Sequence, residues 1–167
     1  MEIIATTITG YNISLWLHIT AVVVGLGATF ADSILLPVTM GLDKRHLPVV
    51  YRVQLVINRF LAAPALLLIL ITGFYQVAEG NWDLGSFWIS ASLAIVVIIG
   101  GIVGMYFIPT DRKLEAMVTE EIAAAGDGPI ELSDEYSRLS RAEGMVGSFT
   151  GFLIVASIFL MVVKPGA

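Results

Sequence analysis

Four long apolar runs dominate this chain: roughly Ile13 to Val38, Val53 to Val77, Phe87 to Ile108 and Val146 to Val163. A run of about 20 residues, rising about 1.5 Å per residue in a helix, crosses a hydrocarbon layer of about 30 Å. Four such runs in 167 residues leave almost no soluble body. The expected fold is all-α: a polytopic membrane protein built as a four-transmembrane-helix bundle. The spans fall at about 12–38, 51–78, 86–109 and 144–164, in a single domain, with a helical, acidic cytoplasmic loop over about 110–143.

Charged residues make up only 14% of the chain, against about 25% in an ordinary soluble domain. That deficit is what a lipid-embedded chain requires. The absence of cysteine excludes disulfides, thiolate metal sites and iron–sulfur clusters. The net charge of −5 gathers in the loop between Asp111 and Glu143, which reads as a solvated acidic surface, and nucleic-acid binding is not expected. The first run lacks a basic n-region and is too long for a signal-peptide core, so it is read as a true span.

Basic residues set the expected orientation. Lys44, Arg45 and Arg52 lie between spans one and two; Arg112, Lys113, Arg138 and Arg141 lie between spans three and four. The Glu79–Ser86 loop has none. Both basic loops are therefore expected in the cytoplasm, with both termini outside, in a bacterial inner membrane. Lys164 alone opposes this.

Tyr11 to Trp16 read as an interfacial anchor of span one, and Trp82 and Trp88 as the anchors flanking the short outer loop. Span one is expected to stop at Pro37, and Pro64 should bend span two. Span three is expected to end at Pro109, where Thr110 would cap a new helix, Asp111 to Ala125. Gly126-Asp127-Gly128-Pro129 marks a turn. Ser133-Asp134-Glu135 opens a helix that should run unbroken into span four and stop before Pro165-Gly166. Gly100 and Gly104 in span three, and Gly147 and Gly151 in span four, form small-xxx-small pairs suited to close helix approach or to a flat cofactor. Gln54, Asn58, Gln76 and Tyr106 read as interfacial or packing groups.

Span one is chemically the most informative. His18, Gly25, Thr29 and Asp32 fall within about 60° of one another on a helix, and Ser14 joins them. Lipid cannot satisfy such a stripe, so it should face the bundle. Asp32 and Arg59 lie at one expected depth on antiparallel spans, which suggests a structural ion pair or a relay. His18 sits about 21 Å from Asp32 along the helix. A lone histidine cannot build a zinc or copper cage, but it can be an axial haem ligand, and Met161, at the same level, is a candidate second ligand.

Several short pieces together resemble the CopD-like superfamily, which includes the copper-resistance protein D domain and HemJ, the membrane protoporphyrinogen oxidase. They are Leu15-Trp16-Leu17-His18-Ile19, Tyr51-Arg52, Ala63-Pro64, Thr72-Gly73, Phe87-Trp88 and Val162-Val163-Lys164-Pro165. They touch all four spans and are most similar to the superfamily's uncharacterised integral membrane branches. The resemblance implies haem b held by His18; on the separate reading of the small residues, Gly25 and the glycines of spans three and four, Gly100 and Gly104 among them, would line its slot. It also implies an essential lysine early in span three, where this chain has Ser92, and so the oxidase activity does not carry over. Three functions follow as expectations. The first is an accessory or structural membrane protein with no chemistry of its own, set in the lipid bilayer beside further copies or a membrane partner. The second is a haem-handling protein, and the third a transporter of ions, protons or small solutes using Asp32 and Arg59.

Overall fold

The computed structural model describes residues 8–41 and 43–166, the side chains of residues 33, 36, 37 and 40 excepted. Every regular element among the described residues is helical, and four helices are long and apolar enough to cross a membrane. Span one comprises α1 (Gly10–Ala21) and α2 (Gly27–Met40), span two α3 (Leu47–Ile57) and α4 (Ala63–Glu79). Span three is α5 (Phe87–Ile102) continuing into α6 (Ile108–Ala125), and α7 (Asp134–Val163) carries span four. The protein is an integral membrane bundle. Phe60, Ile71, Met105 and Val162 lie exposed on its outer surface, where acyl chains replace water as the solvent.

The first three spans are each interrupted by one π turn: Val22–Leu26, Asn58–Ala62 and Val103–Phe107. Two of these have a proline cause. Pro64 and Pro109 lack an N–H to give to the carbonyl four residues back, and their rings crowd that carbonyl. A π turn just upstream absorbs the misfit without breaking the helix. Span three therefore does not end at Pro109, as the sequence suggests. Pro109 lies in the first turn of α6, and Thr110 caps nothing. Span one likewise continues past residue 37 to Met40. The expected start of α7 holds: the Ser133 hydroxyl accepts from the Tyr136 N–H at 3.1 Å, and the helix then runs unbroken to Val163.

The spans are arranged in a ring. α1 lies along α4, α4 meets α5, and α5 lies along α7. The ring closes only where α2 meets α7, so the seam between spans one and four is the loosest. Gly25 marks the tightest contact. A Cβ there would fall 2.1 Å from the Cβ of Ala65, so spans one and two touch backbone to backbone. Gly100, Gly104 and Gly147 carry no such contact: a Cβ on each would meet nothing within 4 Å. The close approach expected of the paired glycines is therefore not made between these helices.

At one end the helices outrun any bilayer. There Leu47, Tyr51, Leu114, Val118 and Tyr136 form a second core, separate from the intramembrane one. The Tyr51 and Tyr136 hydroxyls bond at 2.8 Å, with Ser140 beside them. Lys44 and Arg45 donate to the carbonyls of Ile130 and Gly128, which pins the turn between α6 and α7. Tyr51→Phe removes one buried hydroxyl pairing and leaves Tyr136 its Ser140 partner. It is expected to cost about 1 kcal/mol in thermal or denaturant unfolding. A loss several times larger would mean that the hydroxyl supports more than this pair. The opposite end is a short hairpin, residues 80–86, where Trp82 and Trp88 meet edge to face and the Lys164 ammonium lies over both rings.

Candidate functional site

Span one keeps its polar stripe inward. Ser14, Gly25 and Asp32 are buried, and His18 and Thr29 are half-buried. The stripe divides into two sites that share no residue.

Toward the hairpin end, the stripe fastens span one to span two. The Thr72 hydroxyl gives its proton to the Leu68 carbonyl at 2.6 Å. His18 Nδ1, 2.8 Å from that same oxygen, must therefore be the donor. Ser14 donates to the Thr72 carbonyl, and Gln76 donates back to Ser14. The His18 ring packs 3.6 Å from the position a Cβ on Gly73 would take. Neither of the two principal cavities is lined by His18 or Met161. Gly104 is exposed, and Gly100 borders a small apolar recess between spans two and three, away from Gly25. The residues expected to hold haem b are thus not gathered around one slot. The group does not fit this arrangement, in which the His18 ring is bonded to Thr72 of span two.

The other half of the stripe leads to a groove of about 600 Å³ in the loose seam between spans one and four. Its closed end is acidic. Asp32 comes from α2, Asp111 from α6 and Glu143 from α7, while span two adds Gln54 and Asn58. These are buried groups: Asp32 is 8%, Asp111 1% and Glu143 6% exposed. Asn58 Nδ2 donates to one Asp111 oxygen at 3.0 Å. The Asp111 and Glu143 carboxyls both line this end, and two carboxyls bond to each other only when one of them holds a proton. Asp32 Oδ1, Asp111 Oδ1, Glu143 Oε2 and Gln54 Oε1 are buried without a partner. Acyl-facing walls extend from this head: Phe30 on α2, and Phe152 and Val155 on α7. Gly144, Gly147 and Gly151 recur along one α7 face, and their missing side chains make the room.

No basic side chain compensates these acids. The ion pairs among the described residues are Arg52–Glu115 at 3.5 Å and Lys113–Glu135 at 2.7 Å. The expected Asp32–Arg59 pair is not formed. Asn58 continues the inward face of Tyr51, Gln54 and Leu55, and Arg59, about 100° further round, faces out and lies over the Phe60 ring. The acidic loop also departs from expectation, because its two ends, Asp111 and Glu143, are buried rather than solvated. One signal pointed there. Each lies within two residues of the end of an apolar span, at the level Asp32 occupies in span one. Gln54 and Asn58, expected as interfacial or packing groups, also line the groove.

The fold and groove define the class: a four-span integral membrane protein with a buried acidic site inside the bundle. The chain belongs to the family described as "predicted integral membrane protein (DUF2269)", whose model matches residues 12–165. No curated protein and no solved structure matches it.

Proposed function

We propose that this protein is a membrane carrier for a cationic solute, with the acid-headed groove as its binding site and protons as the competing occupant. One observation carries this reading: three carboxyl groups from three different spans line one buried end of the groove, and no cation among the described residues meets them. Charge inside a membrane protein costs a few kcal/mol per group on insertion scales and marks solute or proton paths. As a structural lock the cluster is poorly made, because a lock would pair its charges and leave no orphaned oxygens. Protons serve as the resting counter-charge, since neighbouring carboxyls resist ionising together. By the distribution of Lys and Arg, the acidic end of the groove faces the cytoplasm of a bacterial cell and both termini lie outside.

Dicyclohexylcarbodiimide attacks protonated carboxyls in apolar surroundings and provides a test that needs no known substrate. At neutral pH it should add to Glu143 or Asp111 in the membrane-embedded protein, as read by mass spectrometry of peptides. In proteoliposomes the same treatment should abolish cation-driven proton release. Absence of any adduct on Asp32, Asp111 and Glu143 would overturn the reading.

A further inference from the structure

The groove's two halves ask for different things of one occupant. At its head the orphaned atoms are oxygens: Asp32 Oδ1, Asp111 Oδ1, Glu143 Oε2 and Gln54 Oε1. Oxygens left without donors are completed by a ligand that brings several N–H groups at once. A primary ammonium carries three donors and a charge, whereas a quaternary ammonium carries the charge alone. Charge-assisted hydrogen bonds of this kind are about twice as strong as neutral ones.

The remainder of the groove is apolar and continuous with the lipid-facing surface. Phe152 is 67% exposed and Val155 56% exposed, yet both line it. The glycine face of α7 keeps the channel open beneath them. An occupant therefore reaches the acids sideways from the bilayer, with its apolar part still in contact with Phe152 and Val155. A small hydrated cation has no use for such a wall.

We infer that the groove takes a lipophilic primary amine, its ammonium received at the acidic head, among the unpartnered oxygens there, and its chain lying along the glycine face of α7. This rests on the cation-carrier reading above. The shared chemistry, a primary ammonium on an apolar chain, belongs both to free long-chain amines and to ethanolamine lipids.

Radiolabelled dodecylamine binding to protein in phosphatidylcholine nanodiscs tests it, by equilibrium dialysis with empty nanodiscs subtracted. Saturable binding is expected, with dodecyltrimethylammonium competing at least about tenfold more weakly, as the loss of charge-assisted bonds implies. Gly147→Phe should abolish the binding by filling the groove. Since nothing lies within 4 Å of a Cβ at that position, the variant should still fold, as circular dichroism would show. Adding phosphatidylethanolamine to the discs separates the sources: competition assigns the site to the lipid headgroup, and unchanged binding assigns it to a free amine. Equal competition by the quaternary compound would overturn the donor argument, and undiminished binding to Gly147→Phe would place the amine elsewhere. If no saturable binding appears while the carbodiimide still labels the acids, the substrate class fails and the carrier reading stands. If the labelling fails too, both fall.

Discussion

Glu143→Gln should leave the protein more stable and unable to work. Glu143 is buried, one of its oxygens has no partner, and no donor stands between it and Asp111 unless a proton is held there. A glutamine amide supplies that donor permanently and removes an ionisable group from a dry site. Replacing buried ionic groups by neutral ones of similar shape is often neutral or stabilising, by about 1–4 kcal/mol. The expected result is a melting temperature raised by several degrees in nanodiscs. Carbodiimide labelling at position 143 should be absent, and cation-driven proton release should fall to the level of empty vesicles. A purely structural cluster predicts the reverse: lower stability with no other consequence. A melting temperature several degrees below that of the parent would therefore end the functional interpretation of these acids. The trade has a general basis, since groups poised for function are held in surroundings that cost stability.

The architecture was legible because the hydrophobic effect and backbone hydrogen bonding leave few options to a run of apolar residues in lipid. The apolar runs, the inward stripe of Ser14, Gly25 and Asp32, and the helix start at Ser133-Asp134-Glu135 all follow from local rules, and the structure keeps them. The partner of Asp32 was not legible, because depth along a helix says nothing about rotation about its axis. At the level of Asp32 the helical phase of α3, whose inward face runs through Tyr51, Gln54 and Leu55, decides which neighbour points inward. It selects Asn58 over Arg59, so the apparent ion pair dissolves and a different polar group takes the inner place. Asp111 was misplaced for a related reason. A proline two residues earlier reads as a helix stop, and only the packed structure shows the helix passing through it by way of Val103–Phe107. Glu143 was counted among loop acids because composition cannot distinguish the last solvated residue of a segment from the first buried one. The partner of His18, the lone intramembrane histidine, is equally a matter of rotation: its ring meets the Thr72 hydroxyl of span two.

The largest loss of stability is expected from a single methyl group. In Gly25→Ala the new Cβ would sit 2.1 Å from the Cβ of Ala65, well inside contact distance, and 3.6 Å from the Ala65 Cα. Ala65 has no flexible end to move aside, so the helices themselves must part. Overpacking of this kind costs about 1–3 kcal/mol, and Gly25→Leu should exceed it. Separating the spans also strains the bonds they share further along, from His18 to Thr72 and from Ser14 to the Thr72 carbonyl. The companion change Ala65→Gly removes the opposing methyl. Together, Gly25→Ala and Ala65→Gly place one methyl on the other side of the same contact. The double variant should regain most of what Gly25→Ala loses, with a coupling energy of about 1 kcal/mol or more in thermal unfolding, as expected for residues in direct contact. Simple additivity of the two losses would show that spans one and two do not meet at Gly25, and the inward facing of the whole Ser14-to-Asp32 stripe would lose its strongest support. Coupling would instead fix the rotation of span one about its own axis, which is the geometric fact that brings Asp32 to the acids of spans three and four.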